Sequence, residues 1–267
     1  MLNRRTVLKG IGGGVLAVSV PVTPVLAADG RVSVVATTGM IADTVRQVGG
    51  DLVAVKALMG PGVDPHAYRQ TRTDIVAMAK ADLVLWNGLF LEAQMEDVLG
   101  DLARRTQVEA VAEHVPADNR IAHDSYTDRF DPHVWMDPAL WKIVVLAVRD
   151  ALVAVAPQHK STFSENANRM LADLDNLIAY SSNVLATVPE SARVLVTAHD
   201  AFNYFGRAFG FEVIGIQGIS TESEAGLNRM TELVDVLVDR KISAVFVESS
   251  VSDRSVRALI EGAAAQD

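Results

Sequence analysis

The hydrophobic positions fall into two alternating rhythms. Arg31–Thr37 (RVSVVAT) is a β-branched run that predicts a buried strand, and Ile41, Val45 and Val48 behind it share one helical face. Gly49-Gly50 closes that helix, and Leu52–Leu58 predicts a second strand. After the Gly/Pro loop Met59–Pro65 the pattern predicts a helix over Gln70–Lys80 and a strand over Ala81–Trp86. Asn87-Gly88 then turns the chain toward a helix near Glu92–Leu99. Such an alternation implies an α/β lobe with a largely parallel sheet.

Pro116–Asp131 is polar and irregular, and helical periodicity resumes from Pro138 through Leu152. A longer helix is predicted over Gln158–Val188, its apolar face carrying Phe163, Ala167, Met170, Leu174, Leu177 and Val184; it is long enough to join two lobes. Strands at Arg193–Thr197, Glu212–Ile216 and Ala244–Val247, with helices at Asn203–Phe209 and Glu224–Asp239, form a second α/β lobe. The expected organisation is an N-terminal lobe over 28–155, a connecting helix over 156–189 and a C-terminal lobe over 190–267.

The first 27 residues read differently. Arg4-Arg5 precede a short apolar, glycine-bearing run that ends in Val25-Leu26-Ala27, which reads as a cleavable twin-arginine-like export signal. The expected product is soluble and periplasmic. With no cysteine in the chain, lipid attachment through that residue, disulfides and thiolate metal sites are excluded. The 24 Lys and Arg face 33 Asp and Glu, a net charge of −9 that disfavours nucleic acid as a partner and suits cations.

Six histidines carry the candidate chemistry: His66, His114, His123, His133, His159 and His199. His66 and His133 each end an Asp-Pro-His tripeptide, in which the aspartate can orient the imidazole, and His199 follows a strand end, where open parallel sheets bind ligands. Three neutral imidazoles with a carboxylate can hold a divalent cation. Their separations of 67 and 66 residues form no short motif, so the residues alone leave ordinary loop histidines as the competing reading. Trp135, Trp141, Tyr204 and Phe205 read as wall or core residues.

The phrases GPGVDPHAYRQT (Gly60–Thr71), ADLVLWNGLFLE (Ala81–Glu92), DPHVWMDP (Asp131–Pro138), TAHDAFNYFGRAFG (Thr197–Gly210) and VFVESSVSDRSV (Val245–Val256) resemble the extracytoplasmic solute-binding subunits of ABC transporters for zinc, manganese and related cations. The resemblance implies two Rossmann-like lobes joined by a long helix, one cation in the cleft, and ligation by His66, His133 and His199. It also implies a fourth ligand, an aspartate beyond the helix that starts near Ser252. No matching phrase carries it before Asp267, so the C-terminal lobe reads as incomplete and Glu248 is the candidate replacement, with Asp200 or water as alternatives.

The expected function is capture of a divalent transition-metal ion, Mn2+ ahead of Zn2+ with iron third, and delivery to an inner-membrane ABC permease by a non-enzymatic monomer. The short Pro116–Arg129 segment, with only His123, and Asn87-Gly88-Leu89 tilt the cargo toward manganese. A secreted metal-dependent hydrolase is the first competing reading, but no His-Glu-x-x-His helix or nucleophile elbow is present. A metal-binding adhesin or buffer without a transport role is the second.

Overall fold

A computed structural model describes residues 30–123 and 126–266. The export segment read at 1–27 lies outside the described residues. Strands β1 (Val32–Ala36), β2 (Val53–Ala57), β3 (Leu83–Trp86) and β4 (Gln107–Ala110) form a parallel sheet in the order β2-β1-β3-β4. Helices α1 (Gly39–Gly49), α2 (Arg72–Lys80) and α3 (Glu96–Leu102) connect them. Both faces of this sheet are covered, as parallel sheets require. Val32, Val34 and Ala36 of β1 point into the core that includes Ile41, Val45 and Trp141, while Val35 points the other way, toward Met78, Met95 and Leu99.

Helix α4 (Pro138–Val155) starts with Pro at its first position and Asp137 accepting the Ala139 amide at 2.9 Å, a favourable N-terminus. It packs against α5 (Lys160–Leu185), whose 26 residues span roughly 39 Å. The buried residues of α5 (Phe163, Asn166, Ala167 and Met170) all lie in its first half, against the N-terminal lobe. Beyond them Leu177, Tyr180 and Val184 are exposed as the helix runs on to the second lobe.

That lobe holds a second parallel sheet, ordered β6-β5-β7, from β5 (Val194–Thr197), β6 (Glu212–Gly215) and β7 (Val245–Phe246). Helices α6 (Asn203–Phe209), α7 (Leu227–Asp239) and α8 (Arg254–Ala264) accompany it. Its core gathers Val196, Ile216, Leu233, Leu237, Val256 and Leu259. The architecture is therefore two parallel α/β lobes joined by a long helix. One strand, β4, does not follow from the hydrophobic pattern: its QVEA sequence has only two apolar residues, and the strand lies half-exposed at the sheet edge.

The lobes meet through named bonds. Tyr204 of α6 is fully buried in the N-terminal core, donates its hydroxyl to the Asp131 carbonyl at 2.9 Å and accepts the Ile121 amide at 3.0 Å. Arg207 donates to the Asn119 carbonyl at 2.8 Å. On the far side of the cleft Thr221 donates to Asp64 at 2.6 Å and Gln94 to Glu222 at 2.6 Å.

Candidate metal centre

The loop that carries His66 leaves the C-terminal end of β2 and is tied down at both ends. Gly62 adopts a left-handed backbone (φ 77°), and a Cβ there would come within 3.4 Å of the Ser249 carbonyl, so glycine lets this turn approach the other lobe. Downstream, Tyr68 donates to Asp74 at 2.8 Å. Asp74 closes a capping box with Thr71 at the start of α2. Burial and the neighbouring carboxylate push the Tyr68 phenol up to about 12. Between these anchors the Asp64 carboxylate accepts the His66 amide at 2.9 Å through Oδ1.

The segment carrying His133 repeats the device. Asp131 is fully buried, and its Oδ1 accepts both the His133 amide at 2.9 Å and the ring Nδ1–H at 2.7 Å. The preceding Pro132 carbonyl is held at 3.1 Å by the Asn87 side chain. Asn87 and Gly88 in turn donate their amides to Glu92 at 2.9 and 3.2 Å, and Thr37 donates its hydroxyl at 2.6 Å. Glu92 thereby joins the ends of β1 and β3 to the His133 segment; burial pushes its carboxyl up to about 6 against the pull of these donors.

His199 follows β5 by two residues, beyond the C-terminal end of the second sheet's central strand. Glu248, just beyond β7, accepts its amide at 3.0 Å through Oε1 and brings Oε2 to 2.7 Å from the ring Nδ1, though that second contact is bent away from hydrogen-bond alignment.

The three imidazoles converge where the lobes meet. Nε2 of His133 lies 3.1 Å from Nε2 of His66 and 3.3 Å from Nε2 of His199. All three ligand atoms lie within 4.8 Å of one another, and all three residues are buried. With Nδ1 of His133 donating to Asp131, its Nε2 carries a lone pair that faces the other two rings and is free to bind a cation placed among them. The two separations from His133 are close to what such an ion requires: nitrogens about 2.0–2.1 Å from a tetrahedral ion are about 3.3–3.4 Å apart. Burial, followed by the neighbouring His133, His199 and His123, holds the His66 imidazole down to about 2, so its ring stays neutral and able to ligate. The triad opens on a cleft of about 490 Å³ whose walls include Trp135, Met59, Gly62, Asp64 and Ser249.

The other histidines lie outside the triad, although His123 is close enough to act on His66. His114 pairs with Glu109 at 2.6 Å, and His159 stacks edge-on against Phe163 at the start of α5. His123 is buried with its ring 4.8 Å from Tyr126. Trp141 and Tyr204 are core residues, whereas Trp135 lines the cleft edge-on to His133. Asn203, which donates to Asp131 Oδ2 at 3.1 Å, and Thr221, which donates to Asp64 Oδ2, are site residues that the sequence reading did not single out. Their partners lie 72 and 157 residues away, and no local pattern marks such pairs.

Two parallel α/β lobes on a long helix, with a buried imidazole cluster in the cleft between them, define a bilobed metal receptor. The chain belongs to the ZnuA family, described as zinc-uptake complex component A, periplasmic, which matches residues 34–267. The manganese-binding lipoprotein MntA of Bacillus subtilis (strain 168) is 47% identical over 236 residues, covering 88% of this chain and 77% of that protein. The zinc-binding protein TroA of Treponema pallidum (strain Nichols) is 45% identical over 233 residues, 87% and 75% of the two chains. The iron-binding protein YfeA of Yersinia pestis is 30% identical over 236 residues, 88% and 75%. The solved structure of the periplasmic zinc-binding protein TroA from T. pallidum superposes with a TM-score of 0.86, covering 89% of this chain and 85% of that one. Members of this family bind solutes rather than turn them over, and the site here is one for a divalent transition-metal ion.

Proposed function

We propose that this protein captures one divalent transition-metal ion through Nε2 of His66, His133 and His199 and presents it to an inner-membrane ABC permease. The observation that carries the reading is the convergence of three buried imidazoles, with Nε2 of His133 3.1 and 3.3 Å from those of His66 and His199, close to the edge lengths of a metal coordination polyhedron. Glu248 serves the site from outside the coordination sphere: its carboxylate faces the Nδ1 edge of His199, leaving Nε2 to the metal.

Manganese is the proposed cargo, ahead of zinc and iron. The short, histidine-poor 116–129 segment supports this, as does the 47% identity to a protein named for manganese. Zinc, favoured by imidazole donors and by the general affinity order, competes for the same site. The export reading at 1–27 and the lack of cysteine support a periplasmic receptor without a lipid anchor. The relatives' names attach manganese, zinc and iron to this architecture, and each metal is compatible with imidazole ligation.

A titration of metal-free protein with Mn(II) and with Zn(II) tests the assignment. Wild type and His159→Ala are expected to bind one ion per chain with equal affinity. His133→Ala is expected to lose at least about a hundredfold, since a ligand and the charge balance around Asp131 go together. Equal effects of the two substitutions would remove the triad from the site.

A further inference from the structure

The two Asp-Pro-His segments share a detail that ordinary imidazole orientation does not require. In each, one carboxylate oxygen holds the histidine amide two residues on, while the other oxygen accepts a bond from the opposite lobe. Asp131 Oδ2 takes Asn203 Nδ2 at 3.1 Å, and Asp64 Oδ2 takes the Thr221 hydroxyl at 2.6 Å. Both segments are therefore cross-linked to the C-terminal lobe through the aspartate that fixes the ligand's backbone.

The two struts are set in different surroundings. Asn203 neighbours Tyr204, whose ring is fully buried in the N-terminal core and whose hydroxyl makes two bonds across the interface. Breaking that side would expose a core aromatic, a cost that keeps it closed. Thr221 lies on the 216–226 loop between β6 and α7, and both partners of its bond are only half-buried. The other side-chain bond tying this loop across the cleft joins the exposed Gln94 and Glu222. Ile216 and Ile219 anchor the first part of the loop, whereas 220–226 is half-buried or exposed, and hydrogen bonds without apolar burial behind them are the first to open.

Resting on the assignment of His66 as a ligand, the geometry points to Thr221 as a releasable clasp: its hydroxyl holds Asp64, Asp64 holds the His66 backbone, and withdrawal of the 220–226 part of the loop frees the His66 ligand and lets the ion leave. Asn203 and Tyr204 form the fixed side about which that opening occurs. Thr221 is thus a positioning residue that acts through Asp64 and does not itself touch the ion. The arrangement gives a receptor a means of letting go: a permease that draws this loop away weakens one ligand while the rest of the fold stays intact.

The test is the rate at which bound Mn(II) or Zn(II) passes to excess chelator after mixing, in full-chain wild type, Thr221→Val, Thr221→Ser and Gln94→Ala, with melting temperatures of the metal-free proteins measured alongside. Losing a hydrogen bond to a carboxylate should speed release by roughly tenfold or more in Thr221→Val and leave association within about twofold of wild type. Thr221→Ser restores the hydroxyl and should release at the wild-type rate, and Gln94→Ala, which cuts the other bond without reaching Asp64, should accelerate release less than Thr221→Val. Release from Thr221→Val at the wild-type rate, equal acceleration in Gln94→Ala, or no rescue by serine would overturn the clasp while leaving the receptor reading intact. Failure of wild type to bind either ion would overturn the receptor reading, and the clasp with it.

Discussion

A carboxylate at the back of an imidazole decides which nitrogen is free to bind. Asp131 accepts both the amide and the Nδ1–H of His133, so the ring has one tautomer and one orientation available. Glu248 holds the His199 amide and lies 2.7 Å from the ring Nδ1 without an aligned hydrogen bond to it, and Glu248→Gln tests whether it acts on that edge. The amide keeps the volume but offers an N–H to Nδ1, which favours the tautomer protonated on Nε2 and removes the lone pair a metal needs. Metal affinity should fall about 10–100-fold with little change in melting temperature, whereas a direct Glu248 ligand would instead show as a carboxylate in the metal's coordination shell. The Asp-Pro-His spelling made the role of Asp131 legible, because aspartate and histidine are neighbours in sequence. Glu248 was legible as a cleft residue and candidate fourth ligand, but not as a partner of the Nδ1 edge of His199. Its edge of approach to His199 depends on how β5 and β7 pair across about 50 residues, and local spacing carries no information about that.

At the scale of elements, hydrophobic period placed nearly every segment because most are buried on a regular face. Helix α1 presents Ile41, Val45 and Val48 to the core as its spacing requires, and α6 spans the residues its pattern implies. Where burial is partial the pattern thins. β4 is a half-exposed edge strand of mixed residues, and β7 is only two residues long where four were expected. Helix α5 shows both regimes in one element, since its apolar spacing continues to Val184 but its burial ends at Met170. This difference has an energetic consequence. Phe163→Ala should destabilise the protein by about 3–5 kcal/mol in denaturant unfolding, through the cavity it opens among α1, α4 and α5. Tyr180→Ala, 67% exposed on the same helix, should change stability by less than about 0.5 kcal/mol. Equal losses would mean that the far half of α5 is packed as tightly as the near half.

Over the whole molecule, the chain assembles one small site from three distant segments. His66 and His133 come from the N-terminal lobe and His199 from the other, so the imidazole cluster exists only when the lobes are docked. Tyr204 fixes one side of that docking inside the N-terminal core, and the long α5 connects the two lobes. A net charge of −9 raises the local concentration of cations around the whole surface, while the buried imidazoles offer the nitrogen donors that suit transition metals. The account stands on one ion held at these three nitrogens. Anomalous diffraction from crystals grown with Mn(II) or Zn(II) tests it most directly. The predicted result is a single anomalous peak between the lobes, about 2.0–2.3 Å from Nε2 of His66, His133 and His199. A peak bound elsewhere on the chain, or protein crystallised at saturating metal with no peak at the triad, would contradict it.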